Sequence, residues 1–294
     1  MSQRGRAAVF GACGQIGREV VRSLAAFGLD TAGFGRAQCD VTDAKAIGAA
    51  LNGFDEGDVI VNAAAYNDVA RAEERFAEAL LANGCAPYLI GLAANRCRAT
   101  FVQFGTDYVF DGQKASPYVE SDAVHPLNAY GRTKLCGEAL AAAVAPRHYI
   151  VRVSTVFGIT GNPTRKNFVE RVIAASENGA TLRLMEDGAM SPTYAADAAD
   201  LVTGILRADA PCGTYHLSNS GACSWFDFAG EIARQCGIAP QLTGLDARDT
   251  DARVQRPLNS ALSSEYLIGL GLRPRSWQDG VRRYLKATGR LDDR

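Results

Sequence analysis

The sequence predicts an α/β fold, a doubly wound parallel sheet accompanied by a smaller lobe, and three observations predict it. In the first half of the chain, short β-rich runs alternate with longer segments whose apolar residues recur at helical spacing. A glycine triplet, Gly11, Gly14 and Gly17, stands where the first of those runs gives way to the first helical segment. After about Ser154 the alternation yields to a different rhythm of loops, short strands and helices.

Taken in order, AAVF, TAGF, DVIVNAA, ATFVQFG and YIVRVS read as buried strands. Between them, QIGREVVRSLAAFG, DAKAIGAALNG, RAEERFAEALLANGCAPYLIGLAANR and YGRTKLCGEALAAAVA read as helices. Strand, helix, strand repeated in this way places helices on both faces of a parallel sheet. Beyond Ser154, GITGNPTRKNF reads as a loop, VERVIAASENG as a helix and TLRLM as a short strand. AADAADLVTGILRAD follows as a helix, and GTYHLSN as a strand returning to the sheet. Ser224 is placed to cap the helix WFDFAGEIARQCG, because a hydroxyl there can accept an orphan amide. From RPLNSALSS onward, turns alternate with short helices, and the chain carries no internal repeat or low-complexity tract. The expected division is a dinucleotide-binding domain over residues 1–153 and 195–220, with a substrate-binding lobe over 154–194 and 221–294.

With 294 residues, 47% of them apolar, the chain can bury a full core as one large domain or two smaller ones. Its 31 basic and 32 acidic residues give a net charge of -1, which leaves no electrostatic footprint for nucleic acid or an anionic membrane. No run of 18 apolar residues occurs, so no spanning helix is expected. The start, MSQRGRAAVFGACG, has the basic residues and short apolar run of a signal peptide. Gly11 and Gly14 break that run, and strand followed by tight turn is the better reading. Eight cysteines show neither a CxxC nor a metal-ligand spacing, which suggests buried free thiols in a reducing cytoplasm. His125, His148 and His216 stand far apart, and no metal centre is expected.

The glycines carry the first functional signal. In VFGACGQIGREV they let backbone approach a pyrophosphate, while the helix start offers free amides and a positive dipole end. The spacing is G-x-x-G-x-x-G rather than the simplest dinucleotide pattern, and a turn needing only positive φ is the competing reading. After the second strand the expected acidic residue is absent and Arg36 stands there instead. A guanidinium at that place can pair with a 2′-phosphate and favours NADPH, with NADH as the alternative cofactor; a solvated surface arginine is the competing reading. Asp40 and Val41 follow within reach of an adenine. NAAAY ends the third strand with the small residues Ala63, Ala64 and Ala65, which suit backbone pressed against a cofactor or simply tight packing.

The chemical centre is expected at the end of the fourth strand, because ligands of open parallel sheets bind outside the carboxyl ends of the strands. QFGTDYVFDG puts Thr106, Asp107 and Tyr108 at that exit, and AYGRTKLCGE follows with Tyr130 and Lys134. Residues four apart on a helix have Cβ atoms roughly 5–6 Å apart, a spacing that also fits an ordinary amphipathic pair. A lysine cation near a phenol lowers a pKa that starts near ~10. A tyrosine so tuned can protonate a carbonyl oxygen as hydride reaches its carbon, with Thr106 positioning that carbonyl.

These motifs resemble the extended short-chain dehydrogenase/reductase superfamily and, within it, the dTDP-4-dehydrorhamnose reductases. RVSTVFG, KNF, GAMSPTY, GTYHLSNSG and RPLNSALSS extend the likeness over nearly the whole chain. The resemblance implies a Rossmann-like doubly wound sheet with a smaller substrate-binding lobe, and NADPH-dependent reduction of the C4 ketone of a dTDP-4-keto-6-deoxyhexose. It also implies a nucleotide-sugar partner, and it leaves a homodimer open. Carried over, Thr106, Tyr130 and Lys134 match the catalytic residues. Gly14, Gln15, Ile16, Asp40, Val41, Ala63, Ala64, Ala65, Tyr130 and Lys134 match cofactor contacts, and Val69, Thr106, Asp107 and Tyr108 match the sugar pocket. Where the family reads R-T-S-W-V, with the tryptophan on the sugar, this chain reads RVSTV with Thr155. A nucleotide-sugar 4,6-dehydratase resembles T-D-E where Tyr108 stands here, which disfavours elimination, and an epimerase fits GTDYVFDG poorly. A non-catalytic NADP-binding subunit, resembling that of methionine adenosyltransferase, is the reading from another class.

Overall fold

The computed structural model describes residues 5–160, 166–246 and 254–291. The middle of the GITGNPTRKNF loop and the first four residues of the N-terminal stretch lie outside the described residues. The described strands are β1 (Arg6–Phe10), β2 (Asp30–Phe34), β3 (Val59–Asn62), β4 (Thr100–Thr106), β5 (His148–Val153), β6 (Val156–Phe157), β7 (Thr181–Met185), β8 (Thr193–Tyr194), β9 (Gly213–His216) and β10 (Gln241–Leu245). Six of them form one sheet in the order β2-β1-β3-β4-β5-β9, every neighbouring pair parallel. The chain therefore leaves β1 in one direction and returns to lay β3 on its other edge. That reversal opens a crevice at the carboxyl ends of β1 and β3, the place where such sheets take their ligands.

Alternation along the strands feeds a core on each face. On one side Val9, Val61, Val102 and Val151 meet Val20 and Leu24 of α1 (Gln15–Phe27). On the other, Phe10, Ile60, Phe101 and Ile150 meet Ile47 of α2 (Ala44–Ala50). Burial on both faces explains why β3, β4 and β5 read as continuous apolar runs. TAGF departs from the expectation of a buried strand: β2 is the sheet edge, and three of its five residues are exposed.

The long helix expected over residues 71–96 is broken. The chain forms α3 (Val69–Glu74), leaves helical geometry at Arg75 (φ -119, ψ 48), then forms α4 (Phe76–Leu80), a π-helical turn over Leu81–Cys85, and α5 (Ala86–Cys97). Helical propensity did not reveal the break, because its context is tertiary: Glu73 turns to accept the amide of Ala129. The helical run Phe76–Cys97 spans 22 residues at mean hydropathy 1.3, long and apolar enough to cross a membrane by those measures. Here it lies against the rest of the fold, with Ala79, Asn83, Ala86, Ile90 and Ala94 buried.

After α6 (Ala129–Val144), a second core gathers α7 (Phe168–Glu177), part of α8 (Ala195–Arg207), α9 (Trp225–Cys236) and, beyond α10 (Glu265–Gly269), α11 (Trp277–Ala287). Val172, Phe228, Trp277 and Tyr284 lie at its centre, and β7 pairs with β10 at its edge. Val202 and Ile205 of α8 also join α1 in the sheet core, so this helix ties the two cores together. Ser224 caps α9 in a reciprocal box with Asp227. The cysteines are free, but only Cys39 is fully buried; Cys13 and Cys212 are exposed, against the expectation of buried thiols.

Two glycines test this packing with opposite signs. A Cβ on Gly17 would stand 2.2 Å from the Gly11 carbonyl oxygen, whereas one on Gly48, inside α2, would meet nothing within 4 Å. Gly17→Ala is expected to cost about 1–3 kcal/mol or more, and Gly48→Ala to stabilise by about 0.5–1 kcal/mol. Urea denaturation of both variants checks the contrast; equal effects would show that the glycine turn is not clamped as described.

Candidate functional site

A cleft of about 310 Å³ opens at the carboxyl ends of the sheet strands. At one end lies the start of α1, where Gly14 occupies the N-cap position and no side chain caps the helix. The three glycines divide by role. Gly11, at φ +79, and Gly17 are demanded by the fold, since a Cβ on either would strike backbone. Gly14 has ordinary φ, and a Cβ there would meet only the Gly11 oxygen at 3.3 Å. Its exposed backbone borders the cleft beside free helix amides, which is the arrangement that accepts a phosphate. Gln15 and Ile16 line the same end, and Gln15 Oε1 is buried without a protein hydrogen-bond partner. Ala63 and Ala65 form the facing wall, while Ala64 lies behind the turn, its amide held by Asn62 Oδ1 at 3.1 Å. Small residues, uncapped amides and an orphaned acceptor fit a dinucleotide.

Arg36, Asp40 and Val41 do not line the cleft. They follow β2, whose last carbonyl accepts the amides of Gly11 and Ala12 at 2.9 and 3.2 Å. The strand end is thus fastened to the glycine turn, and the exposed Arg36 stands just beyond it. The Asp40 carboxylate is engaged locally, accepting from the Thr42 amide and hydroxyl, and these bonds hold its pKa below the usual carboxylate range. Val41 packs on the sheet core.

The centre of the cleft is built by α6 lying against the end of β4. Asn128 caps α6 by accepting the Gly131 amide at 2.8 Å. Gly131 and Gly137 let the helix approach: their missing Cβ atoms would stand 2.2 Å from the Tyr108 carbonyl oxygen and 1.9 Å from that of Asn83. Asn83, in the π-helical turn, fixes Tyr66 with paired bonds of 2.8 and 2.9 Å and bonds Thr133. This seat brings Thr106, Tyr130 and Lys134 to the cleft together. The Thr106 hydroxyl bonds Asp107 Oδ1 at 3.0 Å and also partners the Tyr130 phenol.

The electrostatics differ from the expectation of a lysine-lowered phenol. Burial pushes the Tyr130 pKa up, and the Thr106 hydrogen bond only partly opposes it. The Lys134 ammonium turns instead to the Phe104 carbonyl, 2.5 Å away. Burial brings Lys134 down to about 8, opposed by the nearby Glu138 carboxylate. At neutral pH the site therefore holds a protonated phenol beside a cation that gives up its proton easily.

Asp107 lies underneath, fully buried, and burial raises its pKa despite bonds from Ser260, Ser154 and Thr106. Ser154 in turn accepts the Ser191 amide, and Ser191 exchanges two bonds with Leu262, so the RPLNSALSS segment reaches the centre of the site. Tyr108 meets Tyr130 edge-on, with ring centroids 5.8 Å apart, and bonds Arg256. Val69 and Thr155 line the cleft, Thr155 in the left-handed region at φ +40, rare for a β-branched residue. Sequence reasoning missed Asn67, Phe104, Gly105, Val153, Val156 and Trp225, which also line it. Trp225 lay within a helix pattern, and no spacing rule ties that helix to β4.

The family described as RmlD substrate binding domain matches residues 6–290. The dTDP-4-dehydrorhamnose reductase of Salmonella typhimurium is 36% identical over 293 residues, covering 94% of this chain and 96% of the relative. A probable dTDP-4,6-dihydroxy-2-methyloxan-3-one 4-ketoreductase of Streptomyces antibioticus is 35% identical, covering 93% and 92%. Among solved structures, the dTDP-4-dehydrorhamnose reductase of Bacillus anthracis in complex with NADP superposes with a TM-score of 0.90 at 28% identity, covering 97% of this chain and 100% of that one.

Burial of the Lys134 cation has a measurable consequence. The unfolded chain keeps that proton up to about 10.5, the folded chain only to about 8, so between those values the wild type gains stability as pH rises. Lys134→Met removes the buried charge, and the Phe104 carbonyl keeps its bond from Gln103 Nε2. The variant is expected to be more stable than the wild type at pH 7 by about 1–3 kcal/mol, the gap closing above pH 8. Thermal melts of both proteins from pH 7 to 10 check this; a variant less stable at pH 7 contradicts it.

Proposed function

This chain belongs to the RmlD substrate binding domain family, and on that premise we propose that it is an NADPH-dependent reductase of the C4 ketone of a dTDP-4-keto-6-deoxyhexose. The observation that carries the reading is the meeting of Thr106, Tyr130 and Lys134 in one cleft that runs on to the uncapped start of α1. Relatives named dTDP-4-dehydrorhamnose reductase supply the substrate class.

A reduced nicotinamide in the cleft supplies the hydride. Tyr130, kept protonated by burial, hydrogen-bonds the ketone oxygen and delivers its proton as charge develops there. Thr106, its hydroxyl fixed by the buried Asp107, orients that phenol. Lys134, anchored on Phe104, has two further N–H donors for a ribose and steadies the phenolate left behind. Residues 1–153 with 195–220 hold the cofactor, and 154–194 with 221–294 close over the nucleotide end of the substrate. Arg36 pairs with the 2′-phosphate. A second reading, reduction of a different dTDP-ketosugar, draws on the Streptomyces relative and on Thr155, a small polar group at the cleft wall. A purely regulatory role would leave the convergence of Thr106, Tyr130 and Lys134 without a use.

The test is spectrophotometric: NADPH or NADH consumption with 4-keto-6-deoxy sugars on several nucleotides, and product configuration by NMR. No turnover with any of them sinks the reading. Tyr130→Phe is expected to lower kcat by about 10²-fold or more, with NADPH affinity within about twofold of wild type. Near wild-type turnover in that variant rules out Tyr130 as the donor. Arg36→Ala is expected to weaken NADPH by about 1.5–3 kcal/mol and leave NADH nearly unchanged. Titrating both cofactors decides it, and equal losses would make Arg36 a surface residue only.

A further inference from the structure

We infer that the indole of Trp225 is the apolar wall on which the substrate's sugar ring lies, which makes Trp225 a specificity-determining residue of this cleft. The inference rests on the nucleotide-sugar reading above and names the part of the second core that would recognise the sugar. Trp225 is the first residue of α9, yet it lines the cleft together with Thr106, Tyr130 and Thr155. Among the described residues it is the lining side chain drawn from beyond Val156.

The ring is held rather than loose. It meets Phe168 edge-on with centroids 4.7 Å apart. The capping box of Ser224 and Asp227 fixes the backbone beside it, and Cys223 exchanges two 3.0 Å backbone bonds with Met190. Thr155, small and at φ +40, lines the cleft beside the indole. With Tyr108 and Met190 the two residues also border a narrow space of about 10 Å³.

Chemistry then divides the cleft. Thr106, Tyr108 and Tyr130 offer hydroxyls to a ketone and its neighbouring hydroxyls. A 6-deoxyhexose also presents a face of C–H groups and a methyl, which gain nothing from those partners. The electron-rich face of an indole attracts polarised C–H groups and removes apolar surface from water. Trp225 supplies such a face from a rigid mount in the same cleft as the hydrogen-bonding residues.

Steady-state kinetics with NADPH and a dTDP-4-keto-6-deoxyhexose test this, with NADPH titration and melting temperature measured on the same variants. Trp225→Ala is expected to raise KM for the ketosugar about tenfold, with kcat within about threefold and NADPH affinity within about twofold of wild type. Installing Thr155→Trp in that variant returns an indole to the same wall and is expected to recover most of the KM. If Trp225→Ala does not fold, Trp225→Leu keeps apolar bulk against Phe168 without the flat face and is judged by the same KM rise. A folded variant with KM within about twofold of an active wild type overturns this inference alone. A wild type inactive on every ketosugar overturns the parent reading and this one with it. NADPH affinity falling as far as ketosugar affinity would make Trp225 structural.

Discussion

The seat of α6 on the end of β4 is the constraint on which the site depends. Two absent Cβ atoms, at Gly131 and Gly137, let the helix touch the Tyr108 and Asn83 carbonyls. The Lys134 ammonium and the Phe104 carbonyl close the contact from the side-chain direction. One turn further on, Glu138 meets Arg152 of β5 at 2.9 Å, with both side chains less than 10% exposed. Breaking such a buried pair by removing one partner typically costs about 3–5 kcal/mol, because it strands a charge. Tyr130 and Lys134 thus project from a helix that has little freedom to tilt or slide, which suits groups that must meet a substrate to within fractions of an ångström.

The same burial that fixes these groups sets their protonation. Burial reduces the hydration of the phenol and the ammonium, and in each case the charged form loses. Tyr130 stays neutral well above its ordinary range, and Lys134 comes within reach of losing its proton near pH 8. The charged carboxylate that faces the lysine, Glu138, is shared with Arg152, which limits how far it can hold the ammonium up. A phenol kept protonated beside a cation easily neutralised differs from a phenol ionised by its lysine, and the cause is desolvation.

The second core enters the site by two routes. One is polar: Asp107 to Ser154 and on to Ser191 and Leu262, a chain of bonds from β4 into the RPLNSALSS segment. The other is apolar: Trp225, carried to the cleft by a capped helix and braced on Phe168. Both run through residues that take no part in the sheet, so the second core reaches the cleft by contacts that the sheet does not supply.

Local pattern alone determined the parallel sheet, the glycine turn ahead of α1, the return of β9 to the sheet and the cap at Ser224. Each is written in residues adjacent in the chain: alternating apolar runs, glycines at a strand exit, a hydroxyl before an amphipathic stretch. The motif residues Thr106, Tyr130 and Lys134 were legible as well, although their meeting in one cleft depends on α6 docking. Other features were decided only by contacts far apart in sequence. Among the described residues no strand pairs on the outer side of TAGF, which leaves it an exposed edge, and the helix expected to be continuous is broken at Arg75, two residues after Glu73, whose carboxylate accepts the Ala129 amide. The Tyr130 phenol rises in pKa where a nearby lysine suggested a fall. Trp225 reaches the cleft from 70 residues beyond Thr155. Burial, edge position and the meeting of distant side chains are properties of the packed chain, and spacing along the sequence carries no measure of them.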